Sequence, residues 1–142
     1  MPGRPQRGRQ VHHPAHHHGL RPPARRPHPP VFLGGILFGE QWARRVFQRI
    51  VEWGDGWLPV IREVQQLIDG RDRLHALCAD AGRDPASVRI TVFGAWDQWR
   101  TRREIETLAT AGAEQATIWL LGRTSDDMRR ELDGLARELL PA

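Results

Sequence analysis

The sequence predicts an α/β fold built on a parallel sheet, and three observations support this prediction. Short apolar runs typical of buried strands recur near residues 31–34, 57–60, 88–93 and 116–121. A helical pattern of apolar residues follows each run, so strands and helices alternate every roughly 25–30 residues. Connections between parallel strands are nearly always right-handed crossovers, so the chain is predicted to contain four successive βα units. Four such units are half of an eight-stranded barrel.

The first unit carries a glycine pair with two interpretations. Val31, Phe32 and Leu33 form a short apolar run, bounded by prolines and by Gly34-Gly35, as in a strand covered on both faces. Two glycines at the carboxyl end of such a strand let backbone N–H groups approach an anion, and the next helix adds its positive N-terminus. The pair is therefore either a phosphate-binding loop or a plain turn between strand and helix.

Four helices are predicted from apolar residues spaced three and four positions apart. Glycines mark their expected ends at Gly54, Gly82 and Gly112, and Gly70 is expected to interrupt the second helix. A capping box from Thr101 to Glu104 is expected to begin the third. The predicted apolar positions are Trp42, Val46, Ile50 and Trp53 in the first helix, Ile61, Val64, Leu67, Ile68, Leu74, Leu77, Cys78 and Ala81 in the second, Ile105, Leu108 and Ala109 in the third, and Met128, Leu132, Leu135 and Leu139 in the fourth.

Composition divides the chain into two parts. The first thirty residues contain six of the 21 basic residues, no acidic residue and almost no large apolar side chain. Residues 31–142 hold the other 15 basic and all 17 acidic residues, so their net charge is −2. A segment that cannot bury apolar surface cannot offset its ordering entropy. We therefore predict a disordered tail over residues 1–28, rich in arginine, proline and histidine, and one globular domain over residues 29–142.

The tail offers three interpretations. The histidines at positions 12, 13, 16, 17 and 18 would bind transition metals adventitiously, but the tail supplies no rigid support for a metal site, and we predict none. Its arginines could neutralise nucleic-acid phosphates, although it has no aromatic residues for base stacking, so a nucleic-acid partner is not favoured. The third interpretation, which we favour, is GC-rich sequence translated upstream of a damaged or misassigned start, since the whole chain lacks lysine.

The expected cellular location is inferred from segments that the sequence lacks. The tail has no apolar core of a secretory signal, and no apolar run approaches the roughly 18 residues of a membrane span. A single cysteine excludes an internal disulfide and a cysteine cluster for zinc. We expect a cytoplasmic protein with no membrane partner.

The residues offer few catalytic candidates. The sequence has no nucleophile-elbow, zinc-protease, P-loop or G-x-G-x-x-G motif. Cys78 is expected to be an inert core thiol, and His75 a partly exposed helical residue. Asp55 lies between two glycines where a helix meets a strand, which favours a turn residue over a catalytic carboxylate. Trp57 and Trp119 could line a pocket, although core packing is the favoured role.

Four blocks of sequence resemble the luciferase-like monooxygenase family, closest to its bacterial branch that uses a deazaflavin coenzyme. They are PHPPVFLGG, EWGDGWLPV, AGRDPASVRITVFGA, and TIWLL with SDDMRRELDGLAREL, and they cover about residues 28–141. The pairing of EWGDGW with AGRDP about thirty residues later is the most specific of these matches. The family's fold is a TIM (β/α)8 barrel, and the blocks would correspond to its carboxyl-terminal half, strands five to eight.

The resemblance carries expectations about function. It implies that the cofactor is FMN or coenzyme F420, and that Gly34 and Gly35 lie near its phosphate. It also implies that the strand ends at 57–60, 92–95 and 120–122 face the cofactor or a small-molecule substrate. The family's acid and base residues come largely from the first half of the barrel, so we expect little turnover from this chain alone. We further expect it to self-associate or to bind a missing amino-terminal half-barrel; the rival hypothesis is a non-catalytic α/β interaction module with a basic tail.

Overall fold

Strands and helices alternate along the whole of the domain. The computed structural model describes residues 29–36 and 39–141. The tail over residues 1–28, including its histidines, therefore lies outside the described residues. The elements are β1 (Phe32–Ile36), α1 (Gly39–Trp53), β2 (Gly56–Val60), α2 (Val64–Asp80), a short 3-10 turn (Pro85–Ser87), β3 (Arg89–Gly94), α3 (Arg102–Thr110), β4 (Gln115–Ile118) and α4 (Ser125–Leu139).

The four strands form one parallel sheet in the order β1-β2-β3-β4. Right-handed crossovers between neighbours in this order place all the helices on one face of the sheet. The predicted α/β fold with a parallel sheet is confirmed, and its topology is compatible with half of a barrel. The opposite face, which we call the open face, includes Thr91, whose hydroxyl oxygen lies 3.4 Å from Gln115 Oε1, and Phe32, beneath the Arg89 guanidinium.

The core lies between the sheet and the helices, with Trp57 at its centre. This side chain is fully buried, and its ring meets Phe47 of α1 edge to face, with the ring centroids 5.2 Å apart. Ile90 and Val92 of β3 join the same cluster. Trp57 therefore packs beneath the helices, as the favoured interpretation expected, and does not line a pocket on the open face.

Helix α2 runs through Gly70 without the interruption that the sequence predicts, so that prediction was wrong. A Cβ atom at position 70 would collide with the Trp57 ring. Gly70 is therefore explained by the close approach of β2 to α2, and tertiary packing outweighs the roughly 1 kcal/mol by which glycine disfavours a helix relative to alanine.

The predicted apolar face of α1 is partly wrong. The helix ends at Trp53 before Gly54, as predicted, but Trp53 is 41% exposed. Among the described side chains of α1, the buried ones are Ala43, Phe47 and Ile50; the side chain of Trp42 lies outside the described set. A three-and-four spacing fits more than one stripe on a helix, and the position of β2 beneath α1 selects the one that includes Phe47.

The last two helices begin near their predicted positions, but fewer of their predicted apolar side chains are buried. Thr101 and Glu104 form the expected capping box of α3, and Gly112 ends the helix with a φ of +101°. Leu108 is buried in α3, whereas Ala109 is exposed. In α4 only Leu135 is buried, while Met128 and Leu132 are exposed. The outer part of the α4 stripe therefore has no cover among the described residues.

Two aspartate side chains stabilise the turns at the amino ends of the strands. Asp55 is a turn residue, as predicted: its backbone N–H donates to Val31 O at 2.8 Å, and its carboxylate accepts from Val31 N–H at 2.7 Å. The Asp84 carboxylate accepts from Ala86 N–H at 2.9 Å and begins the 3-10 turn. This edge of the sheet serves stability, which leaves the carboxyl edge for a functional site.

Candidate functional site at the carboxyl ends of the strands

The longest described loop at the carboxyl edge of the sheet follows β3 and carries two tryptophans with unusual backbone. Residues 95–101, AWDQWRT, connect β3 to α3. Trp96 and Trp99 have φ angles of 53° and 58°, and they are the only non-glycine residues with positive φ in the described ranges. Each such residue costs about 1–3 kcal/mol and persists where the surrounding structure imposes it, often at a functional site. We call residues 95–101 the tryptophan loop.

Contacts within the domain impose this conformation. Trp99 is buried, and its Cδ1 atom would lie 3.1 Å from a Cβ atom at Gly94, so the glycine makes room for the ring. The Gln98 amide nitrogen, in the orientation that satisfies its hydrogen bonds, donates to the carbonyl oxygens of Ile61 at 3.2 Å and Ala95 at 3.3 Å. The loop is thus tied to the carboxyl ends of both β2 and β3.

An ion pair between Arg100 and Glu131 holds the loop that follows β4. Arg100 Nη2 donates to Glu131 Oε1 of α4, and Arg100 Nη1 donates to the carbonyl oxygen of Trp119 at 3.0 Å. The other carboxylate oxygen of Glu131 accepts from the N–H groups of Leu121 at 2.8 Å and Gly122 at 2.9 Å. Both side chains of the pair are less than one-fifth exposed. The pair therefore joins the loops after β3 and β4 to the first half of α4.

The charge of Glu131 is stabilised by these contacts. Partial burial raises the pKa of the carboxyl group, but the N–H groups of Gly122 and Leu121 and the Arg100 guanidinium outweigh burial and hold the pKa below its ordinary value. Glu131 is therefore a carboxylate at neutral pH and supports the site without serving as an acid in it.

Aromatic surface faces solvent between the loops. Trp119 is 52% exposed and Trp96 is 54% exposed, and both follow the carboxyl end of a strand. Trp119 lies against Phe93 at the end of β3, with the ring centroids 6.5 Å apart. Large exposed aromatic side chains on a braced frame suit a planar or apolar ligand, because they bury much area at little conformational cost.

The glycine pair lies inside a strand rather than after it. Gly34 and Gly35 belong to β1 and pair with Leu58 and Pro59 of β2. A Cβ atom at Gly34 would collide with the Leu58 carbonyl group, so packing of β2 already accounts for that glycine. Gly35 has a φ of +117°, which a side chain would strain whether or not a phosphate binds. The phosphate role of both residues stays a prediction, and Gly35, close to the carboxyl end of β1 and four residues before α1, is better placed for it.

Other candidate residues stay outside the site. Cys78 is fully buried in α2, which confirms its predicted place in the core; burial raises the pKa of its thiol, Arg83 lowers it and Asp84 raises it. His75 lies half-buried on the same helix. In the described ranges, no group of three or more histidine, cysteine, aspartate or glutamate side chains is arranged to hold a metal ion.

The sequence analysis missed the residues that shape this edge, namely Trp96, Trp99, Arg100 and Glu131. A signal was present, because a W-x-x-W pair directly after a buried strand is unusual in a loop. The bracing by Glu131 carried no local signal, since Arg100 and Glu131 lie 31 positions apart.

The comparisons with known proteins leave the family open. No family model matches the chain, and a search of curated proteins found no relative. Among the described residues no helix has the length and apolar character needed to cross a membrane.

Proposed function

We propose that this chain is the carboxyl-terminal half-barrel of a luciferase-like oxidoreductase that uses FMN or the deazaflavin coenzyme. The resemblance of its four sequence blocks to that family supports the proposal, as does a parallel sheet whose strands follow one another in sequence order. The single observation that carries most weight is the asymmetry of the sheet. At its amino ends the Asp55 and Asp84 carboxylates accept fold-stabilising hydrogen bonds, whereas its carboxyl ends carry strained backbone and exposed tryptophans.

The residues at the carboxyl edge fit such a cofactor in two ways. Backbone N–H groups around Gly35 and at the start of α1 would hold the phosphate, because a helix N-terminus favours an anion. Trp96, Trp119 and Phe93 would contact the ring system or the substrate, and the Arg100–Glu131 pair would keep their loops in place. When bound, the cofactor ring supplies the hydride chemistry, and the protein binds, orients and excludes water.

Catalysis is not expected from this chain by itself. The resemblance implies that the acid and base residues come largely from the first half of the barrel. The chain is therefore proposed to contribute the cofactor-binding half, with the substrate and much of its pocket completed by other strands.

Fluorescence titration of the full chain with FMN and with the deazaflavin coenzyme tests the proposal. Trp119→Ala should weaken binding by about five- to tenfold, because an aromatic contact contributes about 0.5–1.5 kcal/mol beyond its buried area. Asp80→Ala is the control, since Asp80 is exposed at the end of α2, at the amino edge of the sheet. No measurable binding, or equal loss in both variants, would count against the proposal.

The rival function is a non-catalytic interaction module. The exposed Met128 and Leu132 on α4, and the free outer edges of β1 and β4 among the described strands, favour it. A chain that associates with a protein partner but binds neither cofactor would support the rival.

A further inference from the structure

The two ends of the sheet are complementary to each other. β1 and β4 are the outer strands, and each has a neighbour on one side only among the described strands. All four strands are parallel, so the free edge of β4 in one copy can pair in parallel with the free edge of β1 in another. Unpaired edges of this kind invite such pairing.

Exposed apolar side chains are concentrated in the same two units. Among the described side chains, two large exposed apolar ones lie in the β1–α1 unit and five in the β4–α4 unit, whereas β2, α2, β3 and α3 contribute none of this size and the tryptophan loop contributes Trp96. The two sets are Val31 and Trp53 in the first unit, and Trp119, Leu121, Met128, Leu132 and Leu140 in the last. An apolar surface concentrated in the two terminal units marks them as the contact region.

The helices of these units also differ in the sign of their charge. Helix α1 contains three arginines and two glutamates, a net charge of +1. Helix α4 contains five acidic residues and three arginines, a net charge of −2. Contact between α1 of one copy and α4 of another would bring opposite net charges together, whereas contact between two α4 helices would not.

We propose that two copies of this chain close into one eight-stranded barrel around a twofold axis, with β4 of each copy parallel to β1 of the other. A second copy fits better than an unrelated partner because one rotation makes two identical seams and leaves no free edge. It would also cover the open face, including Thr91 and Gln115, by converting it into the barrel interior. The inference does not depend on cofactor binding: a closed dimer without affinity for FMN would support it and would contradict only the proposed function.

Sedimentation equilibrium of the full chain tests the association. We expect a dimer whose dissociation constant rises by about tenfold or more in Trp53→Asn and in Leu132→Gln, since buried aromatic and aliphatic anchors dominate interfaces. Trp96→Asn is the matched control: Trp96 is more exposed than Trp53 but lies outside the two terminal units, and asparagine tolerates its positive φ. A monomer, or equal weakening by Trp53→Asn and Trp96→Asn, would overturn the proposal.

Cross-linking tests the topology independently of these packing variants. In a Cys78→Ala background, one cysteine is placed at Val31, just before β1, or at Glu114, just before β4; both positions are exposed. A short bifunctional maleimide should join the two variants when they are mixed, and should not join either variant to itself, because like strands face each other across the barrel. Efficient cross-linking of the Glu114→Cys variant to itself would show that the two β4 strands lie side by side and would overturn the closed barrel.

Discussion

Arg83 donates a hydrogen bond from its guanidinium Nη2 to the carbonyl oxygen of Gly54 at 2.8 Å. Its Nη1 atom also donates to the carbonyl oxygens of Ile50 and Val51 at the end of α1, and its Nε donates to Ser87 Oγ. The two sequence blocks whose pairing is most specific, EWGDGW and AGRDP, therefore meet in space. The spacing of the two blocks thus places an arginine cap on α1 at the amino edge of the sheet, where residues stabilise the fold.

Arg83→Met should destabilise the domain by about 2 kcal/mol, because it leaves the last carbonyl groups of α1 without their charged donor. Urea unfolding followed by circular dichroism measures this change. Arg62→Met, at an exposed position before α2, is the control and should stay within about 0.5 kcal/mol of the parent. Equal stability of the two variants would show that the Arg83 cap contributes nothing.

Two helical glycines should respond in opposite directions to alanine. Gly70→Ala places a methyl group against the Trp57 ring and should destabilise the domain by about 1–3 kcal/mol despite the better helix propensity of alanine. Gly134→Ala in α4 meets no atom within 4 Å and should stabilise it by up to about 1 kcal/mol. Thermal and urea unfolding measure the stability of both variants. A gain in stability from Gly70→Ala would contradict the packing of α2 on β2.

Glu131→Gln should show a stability difference that depends on pH. The folded-state pKa of Glu131 is held below its ordinary value, so the carboxylate contributes stability above the unfolded pKa of about 4.3 and loses it as pH falls through the folded pKa. The melting temperature of the variant should therefore lie below that of the parent at pH 7, and the gap should shrink below about pH 4. Glu106→Gln, exposed on α3, is the control. A gap that stays constant from pH 7 to pH 3 would contradict the role of the ionised pair with Arg100.

Deleting residues 1–27 should leave the stability of the remainder within about 0.5 kcal/mol of the full chain, because a basic segment with almost no large apolar side chain contributes few contacts. Circular dichroism spectra and urea midpoints of the two chains, measured at equal concentration, make the comparison. Loss of folding on deletion would show that the tail is structural.

The succession of βα units was predictable because each buried strand and each amphipathic helix has a local period. Strand positions, the capping box at Thr101 and the end at Gly112 all followed from neighbouring residues. The prediction for Gly70 was wrong because a glycine in a helical pattern can either end the helix or let another element pack closely against it. Only the position of the Trp57 ring distinguishes the two cases.

The site was less accessible to prediction than the fold. The glycine pair was expected after the strand, yet β1 continues through Gly34 and Gly35, because pairing with β2 extends the strand beyond its apolar run. The tryptophan loop depends on contacts with Ile61 and Gly94, and the Arg100–Glu131 pair joins two loops that are distant in sequence. Such long-range contacts have no periodic signature in a single sequence.

The affinity of the full chain for FMN relative to riboflavin, measured by fluorescence titration at one ionic strength, tests the central claim most directly. The two ligands share the ring system and differ by the phosphate, so their ratio isolates an anion site at the carboxyl end of β1. FMN should bind at least about tenfold more tightly than riboflavin, a difference of about 1.4 kcal/mol in binding free energy. The deazaflavin coenzyme should bind more tightly than its phosphate-free riboside by a similar factor. Equal affinities within each pair, or no binding of either phosphorylated cofactor, would contradict the claim.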